Sequence, residues 1–113
     1  MHELSLAVSI VEQITKAAQD AGAEKIISVR LLLGPLSGVV PESLEFCFQE
    51  ACFQTIADRA ELIIEKSPLK IFCFRCEKEY EVLPFELICA TCGLADIKII
   101  SGKEFKIIDL EVI

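Results

Sequence analysis

Four cysteines stand in two C-x-x-C pairs, Cys73-Phe74-Arg75-Cys76 and Cys89-Ala90-Thr91-Cys92, with twelve residues between them. A C-x-x-C turn lets two sulfurs of one tight loop reach the same ion. Two such turns facing each other make a closed tetrahedral S₄ shell. Zn²⁺ suits that shell because it accepts thiolate readily and has no redox chemistry; iron in a four-thiolate shell is the main rival. All four positions belong to protein ligands, which leaves none for water or substrate, so the expected role is structural. Residues 69–100 have too little apolar content to fold alone, and a structural zinc contributes on the order of 10–16 kcal/mol apparent at neutral pH.

A second group able to bind metal opens the chain. His2 is the only histidine. The Met1 amine and the His2 amide nitrogen can close a five-membered chelate ring, and the His2 amide and its own Nδ1 a six-membered ring beside it. Three nitrogens then share one plane, the arrangement favoured by Ni²⁺ or Cu²⁺. The fourth place falls to the Glu3 amide, the Glu3 carboxylate or a group from elsewhere. Such a site needs a free amine and a deprotonated amide, so its affinity falls in acid. On spacing alone, a lone histidine near a terminus is more often exposed and inert.

The other two cysteines, Cys47 and Cys52, lie five apart on an expected helix. They point roughly 140° from each other at about 100° per residue, so burial is the simpler expectation for both. No nucleophile has a base partner and no glycine loop could cradle phosphate, so the chain is not expected to be an enzyme. The formal charge of −7, more negative still with four thiolates on one Zn²⁺, disfavours phosphate backbones. Between Pro68 and Ile100, five acidic residues outnumber four basic ones, so the cysteine region is no nucleic-acid ribbon.

The elements that must position these groups show in the hydrophobic pattern. Leu4, Ala7, Val8, Val11, Ile14 and Ala18 recur at helical spacing, with Gly22 as terminator. Residues 26–33 alternate as a strand, Ile27, Val29, Leu31 and Leu33 on one face and Ser28 and Arg30 on the other, and Gly34-Pro35 stops it. Pro41 suits the first turn of a second helix carrying Leu44, Cys47, Phe48 and Ala51, its apolar surface widened by Phe46, Cys52 and Phe53. Residues 60–66 read as a strand ended by Ser67-Pro68. Within the cysteine region, 80–83 and 85–88 are apolar pieces around Pro84, suited to an antiparallel return. Residues 104–112, after the Ser101-Gly102 turn, make a last strand.

That last strand has no helix of its own and most simply returns to the first sheet. The expected fold is therefore α+β: a small mixed three-stranded sheet with two helices, residues 1–67 and 102–113, plus an inserted Cys₄ zinc-ribbon-like module, residues 68–101. With 113 residues, 53% of them hydrophobic, one modest core and a small satellite are affordable. No apolar run approaches the roughly 20 residues of a membrane span. No basic segment, apolar stretch and cleavage site open the chain, so the expectation is a cytoplasmic protein with no membrane partner.

Taken together, Met1-His2-Glu3-Leu4-Ser5-Leu6 opening a helix, the turn Leu33-Gly34-Pro35-Leu36-Ser37-Gly38, the helix start Pro41-Glu42-Ser43-Leu44 and the paired C-x-x-C resemble the HypA/HybF family of hydrogenase nickel-incorporation proteins. The resemblance spans essentially the whole chain. It implies a non-catalytic metallochaperone that helps insert nickel into [NiFe] hydrogenase with a HypB-type GTPase, the hydrogenase large subunit being the recipient. It also implies a nickel site at His2 and its neighbours and a structural zinc at Cys73, Cys76, Cys89 and Cys92. Some members carry an acidic residue in the loop before the second helix; here the stretch is Gly38-Val39-Val40-Pro41. That leaves the fourth nickel ligand to Glu3, Glu42 or water, in that order. A zinc-ribbon protein-interaction module, docking through strands near Tyr80 and Phe85, is the alternative of a different class. Short junctions around an inserted module are also compatible with strand exchange between two copies of the chain.

Overall fold

The structure, a computed structural model, describes residues 2–113. Its elements run α1 (His2–Asp20), β1 (Ile26–Leu33), α2 (Pro41–Cys52), β2 (Glu61–Lys66), β3 (Lys70–Cys73), β4 (Lys78–Glu81), β5 (Ile97–Ser101) and β6 (Phe105–Val112). They make two three-stranded sheets, ordered β2-β1-β6 and β4-β3-β5. The last strand therefore does return to the sheet of the first two, as its lack of a helix predicts. The chain divides into two compact units. One comprises Met1–Leu31, Val39–Glu65 and Lys106–Ile113; the other comprises Leu32–Gly38 and Lys66–Phe105.

In the first unit α1 packs against α2. Ala7, Ile10, Val11, Ile14 and Ala18 of α1, Leu44, Phe48 and Cys52 of α2, and Ile26, Val29 and Leu31 of β1 are all buried. Each large side chain so buried contributes about 1.5–3 kcal/mol relative to exposure. Ile10 belongs to this set although the periodicity passed over it. Leu4 and Val8, expected inside, are each 42% exposed. The helix ends as Gly22 predicts: at φ +72 it lets the Ala23 N–H reach the Ala18 carbonyl at 2.9 Å and its own N–H the Gln19 carbonyl at 3.0 Å, the two bonds of a Schellman cap.

α2 begins differently. Pro41 occupies its first turn, and Val40, its N-cap, offers no side-chain acceptor. The Val40 N–H instead donates to Glu3 Oε2 at 3.3 Å. A carboxylate from α1 thus does what a helix's own third residue does in a capping box. On the sheet, Arg30 bridges all three strands: Nε and Nη2 donate to the two Asp109 oxygens at 2.8 and 2.7 Å, and Nη1 to Glu65 Oε2 at 2.6 Å. These hydrogen bonds and charges hold the Asp109 carboxyl below its usual range and push the Arg30 guanidinium higher. The groups are about half exposed, so the triad fixes register more than it stabilises.

In the second unit β3 is the central strand. It pairs antiparallel with β4, Ile71 opposite Tyr80, and with β5, Ile71 opposite Ile99. The antiparallel return is therefore β4 alone; residues 85–88, expected to continue it, form no strand, and Phe85 is 80% exposed. Elsewhere in this unit two backbones touch. A Cβ on Gly34 would stand 2.2 Å from the Gly102 carbonyl oxygen and 2.8 Å from the Glu104 nitrogen. The contact is hydrogen-bonded from both sides, Gly34 N–H to the Glu104 carbonyl at 2.8 Å and Leu36 N–H to the Gly102 carbonyl at 2.7 Å. Glu104 Oε1 also accepts from Ser67 Oγ and from the Gly102 N–H, both at 2.7 Å. Gly34→Ala has only backbone to push against, so urea unfolding should show a loss of about 3 kcal/mol, the upper range for overpacking. An unchanged midpoint would mean the two backbones separate readily.

Candidate metal centre

β3 delivers Cys73 at its last residue, and β4 starts at Lys78 directly opposite it. The hairpin between them is the first C-x-x-C. Its geometry is set by backbone donors: the Cys76 N–H donates to Cys73 Sγ at 3.4 Å, and the Glu77 N–H to the Cys73 carbonyl at 2.8 Å. Glu77 closes the turn at φ +54.

The second turn repeats this pattern sixteen residues on. The Cys92 N–H donates to Cys89 Sγ at 3.5 Å, the Gly93 N–H to the Cys89 carbonyl at 2.9 Å, and Gly93 takes φ +70. The Thr91 N–H adds a further bond to Cys89 Sγ at 3.4 Å. Each turn thus offers one cysteine at its entry and one near its exit. Cys73 and Cys89 are fully buried, and Cys76 and Cys92 half-buried.

The structure brings the four sulfurs together, all within 4.8 Å of one another. Cys73 and Cys92 sulfurs stand 3.7 Å apart, and Cys76 and Cys89 sulfurs 3.8 Å. These are far beyond the roughly 2.05 Å of a disulfide. They match the edge of a tetrahedron with metal–sulfur bonds of about 2.3 Å, which is about 3.8 Å. The donor set and its spacing therefore fit a four-coordinate thiophilic ion. Among the bare thiols, backbone N–H groups, that of Cys92 foremost, bring Cys89 down to about 6. The hydrogen bond shared with Cys89, aided by burial, pushes Cys76 up to about 12. One buried sulfur is thus prepared as a thiolate, the form that binds metal.

A partner outside the motif joins the two turns. Tyr80, on β4, shares a hydrogen bond of 2.7 Å between its hydroxyl and Thr91 Oγ1. It links the strand beside the first turn to the middle of the second. Nothing in the spacing marks Tyr80 for this; on sequence it reads as an apolar piece of the spacer or as part of a docking strand. Cys47 and Cys52 are not members of the cluster. Cys52 is buried as expected, and burial, with the nearby Asp58 charge, raises its thiol to about 11. Cys47 is only half-buried.

Of the expected nickel residues, Met1 lies outside the described residues, as does the side chain of His2. The backbone of His2 begins α1. The first amides of a helix have no acceptor within the helix, which leaves peptide nitrogens at this end without intrahelical duties. Glu3 stands in the same first turn, engaged with the Val40 amide, and Glu42 is exposed in the first turn of α2.

The chain matches the family described as hydrogenase/urease nickel incorporation, metallochaperone, HypA, over residues 1–112. The hydrogenase maturation factor HypA of Streptomyces avermitilis is 42% identical over 97% of this chain and 86% of its own length. That of Geobacter metallireducens is 38% identical over 99% of both chains. Two solved structures share the fold. One is the Ni metallochaperone HypA from Helicobacter pylori in solution (TM-score 0.67, 20% identity, 97% of this chain and 96% of that one). The other is a HypA protein in solution (TM-score 0.74, 22% identity, 100% and 97%). Matched from end to end, this chain belongs to the HypA family of nickel-incorporation metallochaperones, carriers rather than enzymes.

Proposed function

We propose that the protein is a cytoplasmic nickel carrier for [NiFe] hydrogenase maturation, with a zinc ion held by Cys73, Cys76, Cys89 and Cys92. The observation that carries this reading is the chemical contrast within one chain. Four sulfurs converge at distances that suit a closed shell, while the only histidine sits at the first residue of α1. A closed thiolate shell holds its metal tightly and suits a structural ion. A site at a chain end, made from the Met1 amine, the His2 amide and the His2 imidazole, with Glu3 or Glu42 beside it, exchanges metal without unfolding anything. Cargo requires that exchange. Zinc is preferred to iron because a carrier has no use for a redox couple in its scaffold.

The family description and the relatives' names support delivery to hydrogenase. On this reading the working partners are a HypB-type GTPase and the hydrogenase large subunit. The family description extends to urease, so a second nickel enzyme is a reasonable recipient.

Calorimetric titration with Ni²⁺ tests the site directly, comparing protein with a free Met1 amine and protein acetylated there. One nickel per chain is expected with the free amine and none with the blocked one. Because amine, amide and imidazole must all lose protons, affinity should fall steeply as pH falls. Equal binding by both samples would move the site elsewhere, and no binding by either would remove the carrier reading.

A further inference from the structure

α2 has two apolar faces where a helix packed on a core needs one. Leu44, Phe48 and Cys52 fill its inner face and are fully buried. Phe46 and Phe53, expected to widen that face, are 69% and 66% exposed instead. At about 100° per residue, Phe46 lies opposite the line from Leu44 to Phe48, and Phe53 falls within about 20° of Phe46. The two rings therefore form a stripe two turns apart, about 10 Å along the axis at about 1.5 Å per residue. Phe53 is held at the helix end by its N–H, which donates to the Glu50 carbonyl at 3.3 Å. The residues around the stripe, Glu42, Glu45, Gln49 and Glu50, are all exposed, and α2 contains no lysine or arginine.

Paired aromatic side chains on a rigid, acid-flanked helix are what interface anchors look like. We infer that the outer face of α2 docks a basic amphipathic helix of a partner protein. That helix would present an apolar stripe at i, i+7 spacing flanked by Lys or Arg. Charge decides between this occupant and others. A second copy would set Glu42, Glu45 and Glu50 against themselves, and an anionic bilayer or a nucleic acid would meet the same carboxylates. The inference adds to the nickel reading and does not depend on it.

The test uses a synthetic 15-residue helix with a leucine stripe flanked by lysines, its glutamate-flanked counterpart, and fluorescence anisotropy against the full chain. The lysine peptide should bind and the glutamate peptide should not. Phe46→Ser with Phe53→Ser should weaken binding about tenfold or more, as loss of anchor residues does. Neutralising Glu42, Glu45 and Glu50 to Gln should weaken it and flatten its salt dependence, whereas Glu79→Gln with Glu81→Gln, exposed on β4, should leave it unchanged. Both phenylalanines are exposed, so the melting temperature should hold; amide exchange on the unmodified protein, with protection by the peptide confined to α2, supplies the same answer without substitution. Several results would overturn the inference: no binding of the lysine peptide, binding indifferent to Phe46 and Phe53, or protection outside α2. Self-association of the native chain, or binding to anionic vesicles, that the double substitution abolishes would also overturn it, by assigning the face to a different occupant.

Discussion

Cys89→Ser is expected to release the bound metal and unfold residues 66–105 while leaving most of the helical signal in place. Cys89 is the most consequential of the four. It is buried, it receives two backbone N–H groups on its sulfur, and its neighbours favour its thiolate. The segment Lys66–Phe105 has few other sources of stability: among its apolar side chains, only Leu69 and Ile71 join the two buried cysteines in the core. Two such side chains contribute about 3–6 kcal/mol, and an ion held by the four thiolates would add on the order of 10 kcal/mol, the largest single contribution to this segment. The first unit should tolerate the loss, since closing a loose loop of this length between β2 and β6 costs only about 3 kcal/mol. Metal analysis together with amide NMR spectra reads both halves of the expectation. Full metal content in the variant, or an ordered segment after chelation, would show that the sulfurs are not what holds it.

Nickel binding should disappear in His2→Ala with no change in zinc content or unfolding midpoint. Removing the imidazole deletes the six-membered ring and leaves amine and amide alone. The loss should exceed the 10–100-fold that removal of a mere outer-shell partner costs. Stability should move by less than about 0.5 kcal/mol, because His2 is the first residue of α1 and the core of that helix starts at Ala7. Equilibrium dialysis with Ni²⁺ and elemental analysis on the same sample separate the two metals. Retained nickel stoichiometry would refute the assignment to His2; loss of both metals would point to a folding defect.

The cysteine cluster was legible because its information is local: each C-x-x-C fixes its own turn, and only the pairing of the turns had to be supplied by the fold. α1, β1, α2, β2 and β6 were legible through period, since each is long enough to show one. β3 and β4 have four residues each, too short for a period, and β5 pairs with β3 across the whole cysteine loop. The errors on the helices have a common cause. Phe46, Phe53, Leu4 and Val8 are apolar, and composition cannot tell an apolar residue facing the core from one left to solvent. In α2, Leu44 and Phe48 already fill the inward arc, so geometry sends Phe46 outward. The cap that Glu3 provides to Val40 joins residues far apart in the chain and leaves no mark in either segment.

The strand order β2-β1-β6 has a consequence for biosynthesis. On the ribosome β1 emerges early, but the strand that covers its second edge is made only after all four cysteines have appeared. Until then the nascent chain carries an open edge, a template for unwanted pairing. The cysteine segment can gather its metal during that interval and bring the two sheet segments near each other before β6 is available. An ion gathered there would thus act as a folding timer: without it the sheet would still close, but its open edge would persist longer on the nascent chain.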